Sequence, residues 1–536
     1  MTRTRALLLS LVPLLLFGCT KELTCPQGET DCGGRCAALQ TAATDCGACG
    51  YACGAGVVCQ AGACVCAPGT VSCAGGCFDL LTSPEHCGTG GTCAGAVACG
   101  GATPFCSAGA CATSCGPGLD ACGNACADLS ADRDHCGTCS TACGPGASCV
   151  AGTCRSIQVA CFSTSELRSV SPDLLFTGPA RATGQGPISL ALANGEVWSA
   201  DSLDVTLSAL PLDPTLPGAT ATLSGSDLEF VGQSAGLLFV SNSKGGTVIV
   251  YDPAGGRVLD EVPFTGQVNP FPHGIAFLNG RAFVALYGQD DVSDGQAVAV
   301  LDLSGVPGCA AADPSPPACG AGNSCPAGRV CRAGVCPLQC ATLQKVIDLR
   351  AVPGSADAPG LPFPSRAVAA GSKVYVTLAN MMKATSGPLA GYYVDPAGPS
   401  KLAVIDTAAA DAVSIVPLPG CQDAGGLTAL GTSLWVACAD SSGPALVPVA
   451  LSGTGPVPAA PVAPWGVPQP PVAFGAPGNI AFCGPMGYVT DLWSGTVLRF
   501  DPSAPSAAAQ VAGAAVCPAS AGPYGYAWAA DVLCTP

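Results

Sequence analysis

Three consecutive blocks of eight cysteines set the tightest limit on how this chain can fold. Cys25, Cys32, Cys36, Cys46, Cys49, Cys53, Cys59 and Cys64 make the first block. The third, Cys115, Cys122, Cys126, Cys136, Cys139, Cys143, Cys149 and Cys154, repeats every spacing. The second (Cys66, Cys73, Cys77, Cys87, Cys93, Cys99, Cys106, Cys111) is stretched at its centre, with five residues between Cys87 and Cys93 instead of two. A block of about forty residues buries too little apolar surface to hold itself together. Disulfides must replace that core, each contributing about 2–4 kcal/mol by restricting the unfolded chain. Such a grid persists where thiols oxidise, which places it outside the cytoplasm. Eight cysteines allow about a hundred pairings, and spacing does not choose among them. Cys46/Cys49 and Cys136/Cys139 have zinc-ligand spacing, but in an oxidising compartment the disulfide reading is preferred. His86 and His135 precede Cys87 and Cys136 where the first block has Asp45. A position that takes either residue reads as exposed and polar, not catalytic.

The run Cys46-Gly47-Ala48-Cys49-Gly50-Tyr51-Ala52-Cys53, with the trailing Cys59 and Cys64, resembles the stigma-specific (Stig-type) cysteine-rich family. The resemblance covers residues 25–154 and implies a secreted disulfide module without enzymatic activity.

The chain start agrees with that compartment. Arg3 and Arg5 precede an apolar run, Ala6 to Phe17, too short to span a bilayer, so residues 1–18 read as a signal peptide. Leu16-Phe17-Gly18-Cys19 resembles the lipobox of bacterial lipoproteins. That resemblance implies Cys19 as a lipidated N-terminus anchored in the membrane, with residues 19–24 as the tether, and Thr20 then implies the outer membrane. The alternative is an ordinary cleaved signal with Cys19 a spare thiol. The 37 cysteines are odd in number; the blocks take 24, 12 lie downstream, and Cys19 is the one left over. No later stretch has eighteen uninterrupted apolar residues, so no transmembrane helix is expected. A net charge of −16 argues against nucleic acid and anionic lipid as partners.

From residue 155 to 536 the texture changes to short apolar strands between Gly, Pro and Asp turns. An aromatic followed by small or β-branched residues recurs six times: Trp198-Ser199-Ala200, Phe239-Val240-Ser241, Phe283-Val284-Ala285, Tyr375-Val376-Thr377, Trp435-Val436-Ala437 and Tyr488-Val489-Thr490. Strand starts such as Pro272-His273-Gly274-Ile275-Ala276 precede them, and strands ending in Asp, such as Val250-Tyr251-Asp252, follow. Four strands repeating in this way make propeller blades, which must close into a ring. This half resembles YVTN/NHL-type and streptogramin-lyase-like β-propellers. The expected fold class is all-β: a seven-bladed propeller, with six blades as runner-up, behind a disulfide-rich, loop-dominated repeat region.

The seventh blade would be composite, with two C-terminal strands, Tyr524–Trp528 and Asp531–Cys534, completed by Ile157 to Phe176. Cys161–Cys534 is expected to lock it, with Cys421–Cys438 and Cys483–Cys517 as the other bridges. Residues 308–341 form a cysteine-rich insertion in the third blade, and Cys325-x5-Cys331-x4-Cys336 copies the trailing half of a stalk block, Cys53-x5-Cys59-x4-Cys64.

The long loops 287–296, 353–365, 380–400 and 455–473 are expected on one face. That face would carry the binding candidates Tyr287, Asp290, Asp291, Asp294, Tyr392, Tyr393 and Trp465, since functional residues favour loops on rigid scaffolds. Asp290, Asp291 and Asp294 could offer oxygens to Ca²⁺; otherwise no cofactor is expected. The streptogramin-lyase resemblance implies a histidine and an acidic residue near a metal, for which His273 is the catalytic candidate. With three histidines in the chain no histidine metal cluster can form, and no nucleophile elbow or phosphate loop is present. The reading is a lipid-anchored cell-envelope or cell-surface protein whose propeller binds a protein or glycan. The alternative is a lactone or ester lyase or hydrolase using His273 and loop carboxylates.

Overall fold

The computed structural model describes residues 30–536 except 33–35, 38, 41–44, 54–56, 61, 67–69, 75, 145, 175–177, 215, 289–293, 310–317, 321–324, 326–335, 337–338, 388, 439–444, 454, 464–476, 493, 505–511 and 519–526. Cys19, Asp290, Asp291, Trp465 and the strand expected from Tyr524 fall wholly or partly outside the described residues. Among the described residues no helix is long and apolar enough to cross a membrane.

The stalk blocks share one bonding order. In the third block the first cysteine pairs with the third (Cys115–Cys126), the second with the fifth (Cys122–Cys139), the fourth with the seventh (Cys136–Cys149) and the sixth with the eighth (Cys143–Cys154). The second block keeps that order despite its stretched centre: Cys66–Cys77, Cys73–Cys93, Cys87–Cys106 and Cys99–Cys111. Cys32–Cys49, Cys46–Cys59 and Cys53–Cys64 follow it in the first. The members of each C-x2-C pair therefore belong to different bridges. The backbone repeats too: Gly47, Gly88 and Gly137 donate to the carbonyls of Leu39, Leu80 and Leu129 at 2.7, 2.8 and 2.7 Å. At Gly47 and Gly137 φ is +72°, and a Cβ would lie 2.3 and 2.4 Å from the carbonyl oxygens of Gly62 and Gly152, so both the turn and the close approach require glycine. The position before the fourth cysteine is not the exposed one expected. Asp45 is fully buried and accepts from the Gly50 N–H at 2.7 Å. His135 lies 3.3 Å from Asp132, and His86 stacks on Phe78 at 4.2 Å.

The ring has seven blades. Six are consecutive four-stranded meanders that start at Pro187, Leu228, Pro272, Pro364, Ala424 and Pro477. The seventh is composite: Ala529–Thr535 is innermost, followed outward by Thr153–Cys161, Glu166–Val170 and Arg181–Ala182. Among the described residues the C-terminus thus supplies one strand of this blade and the segment after the stalk supplies three. Thr153–Cys161 also pairs at its start with Ser148–Val150 of the last stalk block, so stalk and ring share a strand.

Seven apolar clusters fill the seven gaps between blades. Successive strand residues point to opposite faces, and this accounts for the sixfold signature. Trp198, Phe239, Phe283, Tyr375, Trp435 and Tyr488 each pack into the gap before the next blade. In the composite blade Gln158 stands at that place, opposite Leu533, and its amide donates to Ser156 Oγ at 2.8 Å.

The expected closing bridge is corrected. Cys161 bonds to Cys517, and Cys483 bonds to Cys534. Cys161 sits opposite Ala529 while Cys534 sits opposite Ile157, so the two cysteines lie at opposite ends of one ladder. Four residues of strand separate them by roughly 13 Å, beyond the reach of a disulfide. Cys421 is bonded to Cys438. In the insertion, Cys325–Cys336 spans the same separation, 11 residues, as Cys53–Cys64 and Cys143–Cys154. Cys309–Cys340 clasps the insertion at its base. The buried Asp260 carboxylate of the second blade accepts from the Cys340 N–H at 2.9 Å and fixes that clasp.

Candidate binding site at the mouth of the central channel

The inner strands open on the ring face that also carries the blade-to-blade connections and the loops between second and third strands. On this face the fourth blade raises a hairpin, Met381–Lys383 against Tyr393–Pro396. Asp357 braces it: Lys401 Nζ lies 2.8 Å from one carboxylate oxygen and Asn380 Nδ2 donates to the other at 2.8 Å. These two contacts hold the Asp357 carboxyl below the usual range. The stretch expected as a loop from Gly455 begins instead as the fourth strand of the fifth blade, Gly455–Pro458.

The candidate residues of this face have different surroundings. His273 stacks on Tyr287 with ring centroids 4.4 Å apart; Tyr287 packs on the buried Phe363 at 5.0 Å, and Phe363 on Tyr393 at 5.1 Å. Lys383 Nζ lies 5.2 Å from the Tyr393 ring centre. Tyr287 and Tyr393 therefore buttress the hairpin, whereas Tyr392 is 46% exposed. Asn269 Nδ2 donates to Asp294 Oδ2 at 3.4 Å. His273 is half-buried, its Nε2 has no hydrogen-bond partner among the described residues, and burial with the nearby Arg366 charge pushes its pKa down to about 3. The ring is neutral at physiological pH and a feeble base, a poor match to proton abstraction near pH 7.

At the channel mouth a cavity of about 220 Å³ is lined from all seven blades. Its polar members are Glu229, His273, Ser365, Arg366, Asp423 and Asn479. Register shifts occur near the start of each inner strand, as between Pro272 and Ile275 or Pro364 and Ala367. Such bulges re-aim side chains beside functional sites. The Arg366 guanidinium lies 5.5 Å from the Phe230 ring centre, so an arginine of the fourth blade meets a phenylalanine of the second. Asp531, fully enclosed, accepts from the Leu190 N–H at 2.7 Å and from Asn479 Nδ2, tying blades six, seven and one together. Burial raises its pKa. Of this set the sequence reading singled out His273 alone. The others occupy the first or second place after the strand-start residue, or the place just before it. Reading those places across all seven blades would have found them.

Fold and site together define a seven-bladed β-propeller carried on a disulfide-braced repeat stalk. Within that stalk, residues 101–157 match the stigma-specific STIG1-like protein family. No curated protein matches the chain. Among solved structures it is similar to a putative 6-phosphogluconolactonase from Bacteroides fragilis, at 11% identity over 71% of this chain and 98% of that one, with a TM-score of 0.46. It is similar to AztD from Citrobacter koseri at 13% identity (71% and 98% covered, TM-score 0.39). It is similar to virginiamycin B lyase from Staphylococcus aureus at 12% identity (59% and 81% covered, TM-score 0.38). At such identities no residue's role is carried over.

Proposed function

We propose that the protein is a lipid-anchored component of the cell envelope, at the outer membrane or cell surface, whose propeller binds a protein or glycan. The observation that carries this reading is where the stalk joins. Ser156, at the stalk end of the shared strand, pairs with Thr535, at the far end of the innermost strand. The inner strands begin at the channel mouth, so the stalk enters from the opposite face. An anchor at Cys19 would then present the channel mouth and the 381–396 hairpin outward. Rigid scaffolds bearing loops on one face are common binding devices, and fold alone does not name the ligand.

Two experiments test it. Metabolic labelling with a radioactive fatty acid should mark the wild type and leave Cys19→Ala unlabelled; label on the variant overturns the anchor. Cross-linking on intact cells should recover one stoichiometric partner, lost in Tyr392→Ala and when residues 384–392 are replaced by a short turn. A partner retained by both variants would move the binding surface elsewhere.

A further inference from the structure

Each stalk block holds a third sulfur beside one of its bridges. In the third block Cys136, Cys143 and Cys154 bring their Sγ atoms within 4.8 Å of one another. Cys143 and Cys154 are bonded together, whereas Cys136 belongs to the bridge with Cys149. Cys46 stands in the same way beside Cys53–Cys64, and Cys87 beside Cys99–Cys111. The insertion in the third blade repeats the triplet, with the disulfide-bonded Cys319 beside Cys325–Cys336. Bracing alone requires only that each bridge close its own loop; the repeated meeting of two bridges is a separate feature.

The two bridges differ in access. At the eighth place Cys64, Cys111 and Cys154 are half-buried, whereas at the fourth Cys46, Cys87 and Cys136 are 2%, 1% and 3% exposed. Exchange proceeds by attack of a thiolate on one disulfide sulfur, and access decides which sulfur is attacked. We infer that each stalk block is a capture site for a low-molecular-weight thiol, which ends as a mixed disulfide on the eighth cysteine. In the third block the incoming thiolate bonds to Cys154 Sγ, and the Cys143–Cys154 bond breaks with its electron pair on Cys143. That new thiolate lies beside Cys136. Its attack there forms a Cys136–Cys143 bond and breaks Cys136–Cys149, leaving the pair on Cys149. Cys149 takes up the proton that the incoming thiol released. Two disulfides are present before and two after, so no oxidant or reductant is consumed. The site is independent of the propeller and of the anchor proposed above.

The test is brief exposure of the full oxidised chain to reduced glutathione, followed by acid quenching, alkylation with N-ethylmaleimide and disulfide mapping by mass spectrometry. In the third block the expected product carries glutathione on Cys154, a Cys136–Cys143 bridge and the alkyl group on Cys149. Cys115–Cys126 and Cys122–Cys139 should be unchanged. The first two blocks should carry glutathione on Cys64 and Cys111, with the alkyl group on Cys59 and Cys106. Cys136→Ser with Cys149→Ser removes the second acceptor, so the alkyl group should move to Cys143. The wild-type map decides the matter by itself if that variant does not fold. Alkylation of Cys143 in the wild type, with Cys136–Cys149 intact, overturns the inference because exchange then stops at the first bridge. So does a scramble that draws in Cys115 or Cys122, which marks unfolding, or a chain that takes up no glutathione.

Discussion

In the third stalk block, strands three residues long are crossed by four disulfides, and the buried cluster at its centre consists of Cys136, Cys143 and Cys149. In the second blade, strands of six and seven residues carry apolar side chains on both faces, Phe239 and Val250 toward one neighbour and Val240 and Ile249 toward the other. The stalk is therefore local: each block contains its own restraints and depends little on the next. The ring is collective, because each blade lends half of two cores. The difference teaches where each part will fail. A reductant attacks the bridges that hold the stalk, whereas a cavity in one blade weakens the whole ring.

The comparison can be broken most directly by reduction. With dithiothreitol the stalk should become fully protease-sensitive while a fragment beginning near Thr153 resists and keeps its β-sheet circular dichroism. Simultaneous loss of both parts would show that the ring also rests on its bridges. Next in size, Phe283→Ala empties a fully buried site between the third and fourth blades and should cost about 3–5 kcal/mol in ring stability. Denaturant melting should show no change in stalk protection. Removing one closing bridge, by Cys161→Ala with Cys517→Ala, should cost about 2–5 kcal/mol. If the midpoint does not move, the ring closes without that bridge.

A smaller effect concerns pH. Asp201, buried in the first blade among Ser199, Thr206, Ser208 and the Gly184 N–H, has its pKa pushed up to about 6, mainly by burial. The folded chain then holds a proton that the unfolded chain releases at lower pH. This contribution is complete below the ordinary carboxylate value and is lost as pH rises through about 6, by at most about 3 kcal/mol. Melting temperatures of Asp201→Asn should fall less than wild type across that window; parallel slopes would remove Asp201 as the cause. The smallest change is expected in the stalk, where Asp45→Ala deletes the bond to the Gly50 N–H for about 1 kcal/mol. Faster local hydrogen exchange in the first block alone would show it, and exchange that also quickens in the ring would contradict the independence of the blocks.

Much of this architecture was legible because it repeats along the chain. The cysteine spacing marked the blocks, and the aromatic strand signature marked six blades, since local periodicity survives in one dimension. The seventh blade escaped that signature because Gln158 stands where the others have an aromatic, and its innermost strand comes from the far end of the chain. The channel site was legible in one residue of its polar set. His273 draws notice as a rare histidine, whereas Glu229, Arg366 and Asp423 are ordinary until seven blades bring them to one axis.

The sequence by itself determined a disulfide-braced repeat stalk and a ring of four-stranded blades, because spacing and alternation are properties of neighbours along the chain. The tertiary structure decided which cysteines meet, which strand closes the ring, and which side chains surround the channel. Those depend on register and on which ladder end each residue occupies: Cys161 and Cys534 share one ladder yet bond to different partners in the sixth blade, because a strand's length keeps them apart.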